Sequence, residues 1–285
     1  MKPQIRYHWD QLSPIDLEAF HEMKIQIHLA LHNVALVGHH YSIAKAGLIP
    51  HALYWIPGLW RIAGTWVTGA KTFRSSLSLN SFELYIVDQK LNTLAQFSLS
   101  KKKFSQAMLW LEEQIGLLDL GHRALSMVLP HELDLFKNSH QYPFENIALP
   151  ELKIFGSCYH NSFIVMQNFQ KLYQTSQIII WPDQLKQSID IILKDTGQAT
   201  LDTKITLGYS PGDQDINEPY FYVNSWPHAE LSKLQAPPPE SYWFNDVWIG
   251  AILPLNVLSK HQEQQEFLFQ FYKEGLARFR TALLY

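Results

Sequence analysis

Residues 205–227, Ile-Thr-Leu-Gly-Tyr-Ser-Pro-Gly-Asp-Gln-Asp-Ile-Asn-Glu-Pro-Tyr-Phe-Tyr-Val-Asn-Ser-Trp-Pro, set two strand-like runs on either side of a dense turn signal. Within the turn, Ser210-Pro211-Gly212-Asp213 joins a proline, whose ring fixes φ, to a glycine that tolerates positive φ. Hairpin geometry explains these four residues without invoking a functional loop. The flanks, Lys204 to Tyr209 and Tyr220 to Asn224, are rich in β-branched and aromatic side chains and read as strands.

Further strands are predicted near Ile178 to Ile180 and Val247 to Leu253, with helical patterns at His160 to Tyr173, Gln184 to Lys194 and Lys260 to about Arg280. In the first half, Leu59 to Val67, Phe73 to Leu79, Phe82 to Val87 and Leu94 to Leu99 read as short strands. Asn80-Ser81 and Asp88-Gln89 supply turn signals between them, which suggests an antiparallel meander. Phe104, Met108, Leu111, Ile115 and Leu118 then recur at helical spacing, and their stripe is placed to close one side of that sheet.

Ser13-Pro14 reads as the start of a long helix, with Ser13 as N-cap and Gly38 as its stop. Its apolar residues occupy several faces, so burial on several faces is expected. The fold class that follows is α+β, with antiparallel or mixed sheets flanked by helices. The order of elements repeats between 1–125 and 158–285, across a proline-bearing connection at 126–157, which raises the reading of two similar halves. One continuous domain is the alternative. Ala236-Pro237-Pro238-Pro239 reads as a short rigid loop.

Composition removes several classes of function. With 285 residues and 47% apolar content a sizeable core is expected, and nine tryptophans point to aromatic-rich packing or an aromatic-lined pocket. A formal net charge of −3 gives no overall positive field. Lys101-Lys102-Lys103 is too short to track a phosphate backbone, so nucleic acid is disfavoured and the run reads as a solvated helix start. The first residues lack an apolar signal core, and no window offers the ~18 apolar residues of a membrane span, so a cytoplasmic location is expected.

The single cysteine, Cys158, forms no internal disulfide and no multi-cysteine zinc site. As a nucleophile it needs a base, and His160, two residues on, does not share its helix face. Glycine-rich phosphate loops, Gly-x-Ser-x-Gly elbows and Cys-x-x-Cys pairs do not occur.

Histidines recur along the first helix. At about 100° per residue, His21, His28, His32 and His39 fall within a stripe about 40° wide. Two histidines four apart can share a metal ion, but Leu29 stands where the zincin motif needs a glutamate beside the first histidine. A row of core or surface histidines explains the stripe as well as a polar site does.

Ser210-Pro211-Gly212-Asp213, Glu218-Pro219-Tyr220-Phe221-Tyr222-Val223 and Trp226-Pro227 resemble an uncharacterised bacterial family, a domain of unknown function with a Ser-Pro-Gly-Asp turn and a Pro-Tyr-Phe-Tyr-Val strand. Tyr242 to Leu253 is similar to the family's His-Trp-His-Thr-Glu-Gly-Trp-Thr-Gly-Ala-Val-Leu strand. Trp181-Pro182-Asp183-Gln184-Leu185-Lys186 stands where relatives carry Trp-Pro-His-His-Phe-Asp. Ile25 to Ala30 resembles Leu-Gln-Leu-His-His-Ala, and His51 with Trp55 falls near the family's Asp-Asp-Ser-His segment.

The resemblance implies a site rich in His, Asp and Glu, suited to a divalent metal or a polar small molecule. This chain has lost much of it. The paired histidines are replaced by Asp183 and Gln184, the acid by Lys186, and the later His and Glu by Phe244 and Asp246.

Three functional readings follow. The first is a non-catalytic protein that binds a small molecule or another protein at Trp181, Asp213, Tyr222, Trp226 and Trp248. The second is a metal-dependent hydrolase in which His28, His51, Asp183 and Asp246 converge on a divalent metal; direct ligation requires all four within about 2–3 Å of one point. The third is a structural protein docking a partner through exposed aromatics. No complete catalytic motif decides among them.

Overall fold

The computed structural model describes residues 7–42, 49–118, 125, 143–145, 147, 149–198 and 202–284. The chain is an α+β protein with two sheets of six strands, antiparallel at each pairing described here. It divides into two compact units. One comprises Leu17–Gly156 with Ile180–Leu185, and the other Met1–Asp16, Ser157–Ile179 and Lys186–Tyr285. The units are thus not contiguous halves, because each takes a short segment from the other's stretch of chain. Among the described residues no helix is long and apolar enough to cross a membrane.

The first unit opens with α1, Leu17–Tyr41. It begins after the Ser13-Pro14 signal and runs past Gly38, which is not a stop: the Pro50 carbonyl occupies the place a Cβ would take there. Ile27, Leu31, Val34 and Ala35 are fully buried, and α1 packs on the sheet at β3 (Val67–Thr68) and β4 (Thr72–Ser78).

Together with β1 (Tyr54–Ile56), β2 (Arg61–Ala63), β5 (Glu83–Asp88) and β6 (Thr93–Ser98) these form the sheet β1-β2-β4-β5-β6, in which β3 pairs β4. The stretch predicted as one strand, Leu59 to Val67, is a 3₁₀ turn at Pro57–Leu59 followed by two short strands. Phe73, Ser75 and Leu77 alternate inward, and Ser75 Oγ donates to Val34 O of α1 at 3.2 Å. Arg74, Ser76 and Ser78 therefore project from the other face.

The helix α2, Phe104–Leu117, packs on α1 and β6. Lys103 precedes it, exposed, and its backbone N–H donates to Gln106 Oε1 at 2.9 Å, so the lysine run is a helix start.

The helix α3, Leu149–Leu172, starts well before the predicted His160 and contributes to both units, changing over between Gly156 and Ser157. Its first turns occupy part of the predicted connection; most of 126–148 lies outside the described residues. Cys158 on α3 is fully buried beside Tyr209, and burial pushes its thiol up to about 12, so it is no nucleophile at neutral pH.

The second sheet runs β11-β12-β10-β9-β8-β7, from β7 (Ile179–Ile180), β8 (Gln187–Lys194), β9 (Thr203–Ser210), β10 (Tyr220–Trp226), β11 (Tyr242–Asn245) and β12 (Ile249–Pro254). The predicted helix Gln184 to Lys194 is thus a strand. Ile189 and Ile191 pair with Leu207 and Ile205 on the buried face, while Asp190 faces Thr206, and this period of two overrides the helical pattern. The stretch Tyr242 to Leu253, a single strand by the resemblance, is a hairpin: β11 pairs β12 around a turn at Asp246, Val247 and Trp248.

Behind this sheet lie α4 (Leu255–Leu258) and α5 (Gln264–Leu284); α5 packs on β9 and β10. Tyr159, Tyr209, Phe221 and Tyr272 are its fully buried aromatic core.

Residues 8–12 are fixed to this unit by the amides of Asn161 and Gln264. Asn161 Oδ1 accepts from Asp10 N at 3.0 Å and its Nδ2 donates to Asp10 O at 2.6 Å; Gln264 does the same for Leu12, at 2.8 Å each way. Both amides act as a strand neighbour would, satisfying one residue's N–H and C=O together. Asn161→Ala should cost about 2–3 kcal/mol and open 8–12 to cleavage. Limited proteolysis with mass-spectrometric mapping checks this: cuts no faster than in the wild type would show that Asn161 is not the anchor.

Candidate functional site

The Ser210–Pro219 turn organises the candidate site. Gly212 takes φ 90°, as the turn reading requires, and Asp213 N–H donates to Ile216 O at 2.8 Å. The Asp213 carboxylate holds the rest. Oδ1 accepts the backbone N–H groups of Asp215 at 3.0 Å and Ile216 at 2.9 Å. Oδ2 accepts the Tyr220 hydroxyl at 2.6 Å and pairs with Lys186 Nζ at 2.7 Å.

Alternation along β10 separates its two faces. Phe221 and Val223 turn toward α5, Phe221 meeting the Tyr272 ring at 6.5 Å. Tyr220 and Tyr222 turn the other way, into a cluster with Ile216 and Ile252 against which Phe244 and Trp248 pack. Tyr222 lies 5.9 Å from Tyr220 and 5.9 Å from Trp248, and Trp248 lies 5.0 Å from Phe244.

Two glycines make room for this layer. In register, Gly208 of β9 stands beside Tyr222 and Gly250 of β12 beside Asn224. A Cβ at Gly208 would run into the Tyr222 ring, and one at Gly250 into the Trp248 ring. The rings lie directly on the backbone because those positions carry no side chain.

Lys186, just before β8, completes the arrangement. Its ammonium is 6.0, 5.9 and 5.7 Å from the ring centroids of Tyr220, Tyr222 and Trp248. At that range a cation is attracted by each ring face. The side chains of Lys186 and Asp213 are 17% and 11% exposed, so the pair is largely shielded yet reachable.

Electrostatics assign ordinary charge states. Burial alone would raise the Asp213 carboxyl, but hydrogen bonds from Lys186 and Tyr220 and the Lys186 charge outweigh it and hold the group below its usual value. The Tyr220 phenol is pushed far up by burial and by donation to Asp213. Asp213 is ionised and Tyr220 protonated at neutral pH, so neither is poised as a general acid or base. The arrangement suits holding a ligand more than transferring protons.

The predicted binding residues divide. Asp213, Tyr222 and Trp248 come together, whereas Trp226, at the end of β10, is exposed and meets His228 with ring centroids 5.5 Å apart. Trp181 lies in the segment Ile180–Leu185, which belongs to the first unit. Tyr220, Phe244 and Lys186 were not among the predicted site residues. Once β8 is read as a strand, Lys186 falls two residues ahead of Ser188 and four ahead of Asp190, on their face.

The predicted metal ligands are not assembled. His28 Nε2–H donates to Pro182 O at 2.7 Å, and the His51 ring stands 6.1 Å from that of His39. Asp183 is half-buried, and Asp246 is exposed in the β11–β12 turn. Among the described residues no group of three or more His, Cys, Asp or Glu is arranged to hold a metal ion. The histidine stripe is mainly structural, since His28 and His32 are buried in the first unit while His21 is exposed. Comparison with protein-family models, with curated proteins and with solved structures finds no match to this chain.

Proposed function

We propose that this is a non-catalytic binding protein that takes a small molecule on the aromatic face of the second sheet. The observation that carries the reading is the Lys186 ammonium, held by Asp213 within 6.0 Å of three ring centroids and still partly exposed. A ligand with a carboxylate and a flat apolar body is the chemistry that fits. The carboxylate shares Lys186 with Asp213, and the body lies on Trp248 and Phe244.

Membership in the uncharacterised bacterial family is part of the same proposal, supported by the fact that its Ser-Pro-Gly-Asp and Pro-Tyr-Phe-Tyr-Val residues build this site. A cytoplasmic location goes with it, supported by the free thiol of Cys158. A second reading, docking of a protein partner, is favoured by Trp226, Tyr242 and Val247, which are 43%, 40% and 68% exposed in the same unit. The metal-dependent hydrolase finds no support among the described residues.

Saturation-transfer NMR with benzoate and indole-3-carboxylate as probes tests the small-molecule reading. Transfer to both probes is expected with the wild type and should fall at least about fivefold in Lys186→Met and in Trp248→Leu. No transfer to the wild type, or equal transfer to all three proteins, would remove this face as the binding site.

A further inference from the structure

On the first sheet, the face turned away from α1 carries two arginines, Arg61 and Arg74, that form no ion pair among the described residues. Register places its residues in rows across the strands: Arg61 beside Ser78, and Ala63 beside Ser76, which in turn stands beside Tyr85. Tyr54 extends the second row through its pairing with Ala63. Arg74 stands two residues from Ser76 on the same face. Ala63 and Ser76 are the small floor of this surface, with arginines and aromatics around them.

The Arg61 guanidinium lies 3.6 Å from the Tyr85 ring centroid, which brings it across the sheet toward Ser76. The Arg74 guanidinium lies 4.2 Å from the Trp66 ring centroid. Stacking fixes both planes and leaves their edges to donate. Among the described residues neither has a carboxylate within ion-pair distance; Glu83, which accepts the Tyr85 hydroxyl at 2.7 Å, acts on Arg61 from farther away.

Among the described residues Arg61 Nε and Nη1, Arg74 Nε and Ser76 Oγ are buried without a hydrogen-bond partner, and Ser76 is only 1% exposed. Four buried polar atoms with unused donor or acceptor capacity on one face can be satisfied together by a polar ligand. Burial lowers the Arg74 guanidinium to about 10, opposed by Tyr54, and it remains a cation at neutral pH.

We propose that Arg61, Arg74 and Ser76 form a site for a phosphoryl group. With Glu83 the one acid acting on Arg61 and none acting on Arg74, the face keeps a surplus of positive charge that suits a phosphoryl dianion, and the planar donors suit tetrahedral oxygens. Tyr54 and Tyr85 flank the floor, where they pack against the organic part of a phosphomonoester. This site is independent of the Lys186 face and would stand if that reading fell.

Calorimetric titration of the full chain with phenyl phosphate and with inorganic phosphate, against acetate at matched ionic strength, tests the assignment. Binding of phenyl phosphate at about 1 mM or tighter is expected, with inorganic phosphate weaker and acetate silent. Arg61→Met and Arg74→Met should each weaken binding at least about tenfold. Each should also lose little stability without phosphate, because a half-buried charge outside any ion pair has been removed.

If a methionine variant fails to fold, the lysine variant at the same position decides. It keeps the charge and loses the fork, and should bind at least about threefold more weakly. No phosphate binding by the wild type, or unchanged affinity in the variants, would overturn the site.

Discussion

Replacing Asp213 by alanine should destabilise the second unit by about 3–5 kcal/mol. The carboxylate receives four donors, and the substitution removes the acceptor they share: two turn N–H groups, the Tyr220 hydroxyl and the Lys186 ammonium. Asp213→Asn keeps an oxygen for the turn and should cost less, about 1–3 kcal/mol. Urea unfolding at neutral pH, followed by far-ultraviolet circular dichroism, measures both.

Acid adds a signature specific to the ionised group. Asp213 binds its proton more weakly folded than unfolded, where the ordinary value is 3.8. Its contribution is therefore complete above that value and disappears as pH falls through the lower folded one. Asp213→Asn should flatten the acid limb of the stability curve below about pH 4. An Asp213→Ala protein as stable as the wild type would mean the turn is held by other contacts.

A single methyl group at Gly208 should cost about 2–3 kcal/mol. The strand has nowhere to retreat: Tyr222 covers it on one face, and the fully buried Tyr272 hydroxyl donates to the Gly208 carbonyl at 2.9 Å from α5. Nor can the Tyr222 ring swing aside freely, since Tyr220 and Trp248 flank it. In a Tyr222→Ala background the same methyl fills part of the vacated space, so the two substitutions should couple by about 1–3 kcal/mol in a double-mutant cycle. Strict additivity would show that the ring and the glycine are energetically independent.

The fold was legible where chemistry is local. The Ser-Pro-Gly-Asp turn, its flanking strands and the meander from Thr72 to Ser98 follow from turn residues and alternating side chains, and they stand close to where the sequence placed them. The errors lie where a residue's role depends on distant chain. Gln184 to Lys194 has enough scattered isoleucine to match helical spacing, and only its neighbour β9 turns the alternation of Ile189, Asp190 and Ile191 into a strand. Gly38 reads as a helix end until Pro50 is seen against it.

The site was half legible for the same reason. Asp213, Tyr222 and Trp248 lie in the stretches that carry the family resemblance. Lys186 entered as a lost acid, because its aromatic surroundings are assembled by strand register that no single segment encodes. The metal set failed in the opposite way: histidines suited to ligation by type and spacing are consumed by packing, as with His28 and the Pro182 carbonyl.

The amide clamps on residues 8–12 also set a timetable for synthesis. Leu12 finds its partner Gln264 252 positions later, so at about 5–20 residues per second the segment leaves the ribosome some 10–50 seconds before its clamp exists. During that interval the whole of the unit beginning at Leu17 is made, while the segment ahead of it waits undocked. A chaperone or protease acting on the nascent chain meets it in that window and not afterwards.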